Sequence, residues 1–104
     1  MLPADGEKII ASKLFLKRVV ELNTYLENEW GLKVATDFHA ALIKIIQHIS
    51  DNPGMGSDST QYKNVRKILV TKHNKLYYRV NSRGSITLLI LFDTRQHPKQ
   101  NKYK

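Results

Sequence analysis

The chain has 104 residues, no cysteine and a formal net charge of +8. Its length suits one domain spanning 1–104, and 41% hydrophobic residues with 9% aromatics are enough for one core. The lack of cysteine excludes a disulfide framework, a thiolate nucleophile and a cysteine-bound zinc.

The charge is unevenly spread. Of 17 Lys and Arg and 9 Asp and Glu, the stretch from Lys63 onward holds 11 basic residues and one acid, Asp93. The first 62 residues keep 6 and 8, so a half near −2 precedes a half near +10. One face of the fold should be electropositive and suited to a polyanion or an acidic partner. The start of the chain has neither the basic nor the apolar region of a signal peptide. No stretch approaches the ~18 apolar residues of a membrane span. A cytoplasmic protein without membrane contact is expected.

In chain order, Ile9, Ile10 and Ala11 predict a short edge strand over 8–12. From Lys13 to Trp30, Phe15, Val19, Leu22 and Leu26 recur at helical spacing, and Leu16, Tyr25 and Trp30 widen the stripe. Gly31 ends that helix. A second helix is predicted over 32–50, burying Val34, Phe38, Leu42, Ile45, Ile46 and Ile49, with Pro53 forbidding continuation. Trp30 is expected as a wedge between the two helices, its exposure pointing instead to a protein interface.

Residues 51–61 are dense in turn formers and read as a surface loop. The hydrophobic period then changes. Stretches 64–71, 76–80 and 85–92 are rich in β-formers, and the short connections between them favour antiparallel pairing. The run from Ile86 to Phe92 is apolar on both faces, as a central strand covered twice would be. The expected class is α+β: a short first strand and an αα-hairpin packed on a mainly antiparallel, curved sheet, in the order β-α-α-β-β-β. A basic tail follows from about residue 96.

This order, with Trp30, Ala35, Phe38, Asn52-Pro53, Val65-Arg66-Lys67-Ile68, Lys75-Leu76-Tyr77-Tyr78-Arg79-Val80 and Asp93-Thr94-Arg95, resembles the RelE/ParE superfamily of bacterial toxins. The resemblance implies the toxin half of a type II toxin–antitoxin pair, neutralised by a cognate antitoxin with an acidic carboxy-terminal segment. It also implies operator DNA binding mostly through the antitoxin. The target divides the superfamily between ribosome-associated mRNA endonucleases and ParE-like poisons of DNA gyrase.

Cleaving RNA needs a base for the 2′-hydroxyl, an acid for the leaving oxygen and cations on the phosphate between them. By resemblance, Arg66, Lys75 and Arg95 fall on basic positions of the nuclease pattern. The departures are apolar Ile68 at the second basic position of its strand, and a tail without a tyrosine in the usual place, Tyr103 being shifted. His97, with a reference pKa near 6.5, is the substitute acid or base. Lys67, Lys72, Arg79 and Lys99 are candidate contacts to nucleic acid or to the target.

Each candidate also has a structural reading. Arg66, Lys67, Lys72 and Lys75 serve equally as solvated strand charges that discourage edge pairing. Arg95 can pair locally with Asp93, while His39, His48 and His73 suit surface, boundary or turn positions. Adjacent Tyr77 and Tyr78 point to opposite faces, so one is expected in the core and the other available for stacking. No cofactor or metal site is expected, since His73 and His97 lack a third ligand. The departures favour gyrase inhibition over the alternative, mRNA cleavage. A third reading is a basic nucleic-acid-binding domain or an inactive relative.

Overall fold

The structure, a computed structural model, describes residues 8–93. Arg95, His97, Lys99, Tyr103 and the expected basic tail lie outside the described residues.

The first strand, β1 (Ile9–Ala11), runs straight into helix α1 (Lys13–Trp30). Ser12 makes that junction possible. Its extended backbone starts the helix while its Oγ accepts from Phe15 N at 3.0 Å, satisfying a donor that the first helical turn leaves unpaired. The same hydroxyl donates to Leu89 O at 2.8 Å, and Ser12 N donates to Leu88 O at 3.0 Å, so the cap is also tied to the sheet.

Gly31 alone joins α1 to α2 (Leu32–Asp51). Its φ of +97° is open to glycine and costly for a residue with a Cβ, and this reverses the chain in one residue. The helices pack against one face of the sheet. Phe15 and Leu26 from α1 and Ala35, Phe38, Leu42 and Ile49 from α2 form one buried cluster with sheet residues Leu76, Tyr78, Ile86, Leu88 and Leu91.

The chain leaves α2 through a 3-10 turn at Pro53–Met55 and enters a two-residue strand, β2 (Ser57–Asp58). Residues 51–61 are mostly exposed, as expected of a surface loop, and they also carry these two short regular elements. The segment lacks an alternating apolar pattern because it is held by pairing with a neighbouring strand and by side-chain contacts, not by its own burial. Strands β3 (Val65–Thr71), β4 (Asn74–Val80) and β5 (Ile86–Asp93) complete a five-stranded sheet of order β1-β5-β4-β3-β2. The last four are antiparallel neighbours, whereas β1 pairs parallel to β5.

β5 lies inside the sheet, and both its faces are buried. Ile86, Leu88 and Leu91 join the helix-side cluster, and Leu89, Ile90 and Phe92 join a second cluster with Val65 and Tyr77. Two consecutive residues reach the second cluster because of a bulge. Tyr77 pairs with Ile90 and Tyr78 with Leu88, which leaves Leu89 as the extra residue, the one whose carbonyl Ser12 binds.

Three burial expectations are corrected. Tyr77 and Tyr78 do point to opposite faces, but both are fully buried, so neither ring is available for stacking on a base. Val34 is exposed, and Ile45 and Ile46 pack only partly against the core. Trp30 is 62% exposed, and Leu16 and Tyr25 also face outward. Trp30 continues the α1 stripe one turn past Leu26, but at the tip of the hairpin it borders an open groove between α2 and the β3–β4 turn.

Candidate functional site

Strand pairing sorts the candidate residues by face. Arg66 pairs with Tyr78, and its neighbours Ile68 and Val70 pack against the helix-side cluster, so Arg66 belongs to the helix face. There both of its terminal nitrogens are engaged, while Nε is buried without a partner. Nη1 meets Asp58 Oδ1 at 2.6 Å, and Nη2 donates to the carbonyls of Gly54, at 2.9 Å, and Gly56. The guanidinium therefore works as a clamp on 54–58, with its side chain 25% exposed. Its planar fork suits several acceptors at once.

A second clamp reinforces this one. Tyr78 Oη donates to Pro53 O at 2.8 Å and accepts from Gly56 N at 3.2 Å. Gly56 approaches so closely that a Cβ would stand 2.6 Å from Lys67 O and 2.9 Å from the Tyr78 hydroxyl. Glycine is needed here for space, independent of its backbone angles.

Lys67, Lys75 and Arg79 occupy the opposite face. Lys67 pairs with Tyr77 and Leu69 with Lys75, while Arg79 sits opposite Val65. Lys67 and Lys75 line one recess of about 100 Å³ with Ser57 and Leu69. The ion pairs among the described residues are Arg18–Glu21, Lys33–Asp37 and Arg66–Asp58, and none of these three cations takes part. Unpaired cations side by side raise the local potential and attract anions. Lys67 and Lys75 are therefore brought together, and Arg66, which was grouped with Lys75 on sequence, is on the other side of the sheet.

Lys72 is exposed in the β3–β4 turn beside half-buried His73. His39 and His48 are exposed on α2. Among the described residues no three His, Cys, Asp or Glu side chains cluster as metal ligands would. None of the helices there is long and apolar enough to cross a membrane.

Sequence reasoning missed Asn74, Ser12 and Asp58. Asn74 is buried, its Nδ2 donates to Thr71 Oγ1 at 2.9 Å, and its Oδ1 has no partner. Ser12 carried a usable signal, a helix-capping residue type just before an apolar-periodic run. Asp58 carried none, since its value comes from a strand neighbour eight residues away.

Known proteins offer three comparisons. The sequence has no significant match among curated proteins. The fold is similar to a solved structure described as the chromosomal ParDE toxin–antitoxin system from P. aeruginosa, with a TM-score of 0.69. That likeness covers 83% of this chain and 94% of the other at 10% identity, so it speaks to fold alone. The family model for the ParE toxin of type II toxin–antitoxin systems matches residues 9–98, from β1 to beyond β5. The strand-and-hairpin start, the antiparallel sheet and that match across most of the sequence agree, and the chain belongs to the ParE toxin family.

Proposed function

We propose that this protein inhibits bacterial growth by binding and poisoning DNA gyrase in the cytoplasm, and that a cognate antitoxin holds it silent. Family membership supports the toxin role. A partner with an acidic segment is supported by the cationic face around Lys67, Lys75 and Arg79, which such a segment would neutralise as it orders. Contact with operator DNA would come through the antitoxin.

The observation that carries the choice of target is the engagement of Arg66. A nuclease would need Arg66 beside Lys75 on one phosphate, yet Arg66 is spent on Asp58 and two backbone carbonyls of the helix-face loop. A protein-binding toxin makes no such demand. Its requirement is a rigid surface, which the double clamp on 53–58 helps to provide.

The test is inducible expression in bacteria, reading growth, a DNA-damage reporter and transcriptome-wide mRNA 5′ ends from one culture. Growth arrest with a damage response and intact mRNA is the expected result. New 5′ ends within translated codons, without the damage response, would replace this reading with an mRNA endonuclease. No effect on growth would mark an inactive relative or a nucleic-acid-binding domain.

A further inference from the structure

At the tip of the helical hairpin, opposite the β3–β4 turn, lies a groove of about 490 Å³. Leu26, Val34 and Phe38 give it apolar walls, and Trp30, 62% exposed, stands at its side. Leaving so large an aromatic in water is unfavourable, and exposed tryptophan is characteristic of binding surfaces. The polar groups that line the groove are Asp37, Thr71, His73 and Asn74, of which Asp37 is the one acid. Asp37 supplies a carboxylate, paired among the described residues with Lys33 Nζ at 3.0 Å, both side chains being exposed. Asn74 also lines the groove. It is 4% exposed, its amide nitrogen is used by Thr71, and its Oδ1 is buried without a donor.

Apolar walls, an open indole ring and a carboxylate together describe a receptor for a long aliphatic stem that ends in a cationic donor. We propose that this groove is the docking site for an arginine or lysine side chain of the cognate antitoxin. The stem would pack on Leu26, Val34 and Phe38, and the cation would lie against the Trp30 ring and Asp37. The proposal rests on the antitoxin reading above. It adds a second contact of opposite charge to the cationic face: one acidic segment for the sheet and one basic anchor for the hairpin tip. Two contacts on opposite sides of one chain restrict which antitoxins fit, because a partner must satisfy both charge patterns.

The test uses the full-length chain co-expressed and purified with the small protein encoded beside it. Trp30→Ala and Asp37→Ala should each weaken the complex by about 10-fold or more. Asp37→Arg should weaken it further, and exchanging the anchor residue of the antitoxin for glutamate should restore binding to Asp37→Arg. Lys44→Ala, exposed elsewhere on α2, serves as the control and should change affinity little. Unchanged affinity in Trp30→Ala and Asp37→Ala, while charge reversal at Lys67 and Lys75 abolishes binding, would overturn the groove proposal and leave the antitoxin reading standing. A wild-type chain that binds no antitoxin would overturn that reading instead. The groove would then be judged by titrating the chain alone with acetyl-Leu-Arg-Leu-amide. Shifts of the Trp30 indole and Asn74 side-chain amide signals would support a cation receptor, and their absence would remove it. If the chain self-associates and Trp30→Ala abolishes this, the occupant is a second copy and the proposal fails.

Discussion

Replacing Tyr78 by phenylalanine removes one oxygen from the protein and isolates the contribution of the clamp on 53–58. The ring is fully buried in the helix-side cluster, and phenylalanine keeps its shape, so packing is preserved. Two hydrogen bonds disappear, one to Pro53 O at 2.8 Å and one from Gly56 N at 3.2 Å, both part-buried. Each contributes about 1 kcal/mol net, and the two backbone groups left behind add part of their desolvation cost. A loss of about 2–3 kcal/mol follows. With a urea slope of roughly 1–3 kcal/mol/M for a domain of this size, the unfolding midpoint should fall by about 1 M. Amide exchange at Gly56 should rise more than exchange in β4 and β5, because the clamp is local while the core is not. A stability change below about 0.5 kcal/mol, or exchange raised evenly across the sheet, would refute the idea that this hydroxyl holds the loop.

Further outcomes follow from the same structure. Gly31→Ala places a Cβ at φ +97°, where space is open but the backbone is strained, and should cost about 1–3 kcal/mol in chemical denaturation with little change in contacts elsewhere. Ser12→Ala removes both the cap on Phe15 N and the link to Leu89 O, and should lower stability by about 1–2 kcal/mol, with faster exchange in the first turn of α1. Arg66→Ala leaves the Gly54 and Gly56 carbonyls unpaired, whereas Asp58→Ala removes only a mostly exposed partner. The first should therefore destabilise by about 1–3 kcal/mol and the second by under about 1 kcal/mol, as thermal unfolding can measure.

Local sequence determined much of this protein. The 3.6-residue spacing from Phe15 to Leu26 and from Phe38 to Ile49 fixed two helices, and Gly31 and Pro53 fixed where they stop. The doubly apolar run from Ile86 to Phe92 marked an interior strand, since such a sequence is soluble only when both faces are covered. The uneven charge foretold a cationic surface. These properties depend on neighbours within a turn or a strand, so they can be read in order along the chain.

Tertiary structure decided the rest. Trp30 continues an apolar stripe as regularly as Leu26 does, but only the position of the hairpin tip relative to the sheet leaves one exposed and the other buried. Tyr77 and Tyr78 alternate as any strand pair must, yet whether each face is covered depends on segments far away in the chain. Arg66 and Lys75 look alike on paper. Pairing register puts them on opposite faces and gives Arg66 to a loop that also had no visible reason to be ordered. Parallel pairing of β1 with β5 joins residues about 77 apart, as in the 77-residue separation between Ser12 and Leu89. Local patterns specify which residues seek burial or partners, and only the assembled sheet specifies which partners they find.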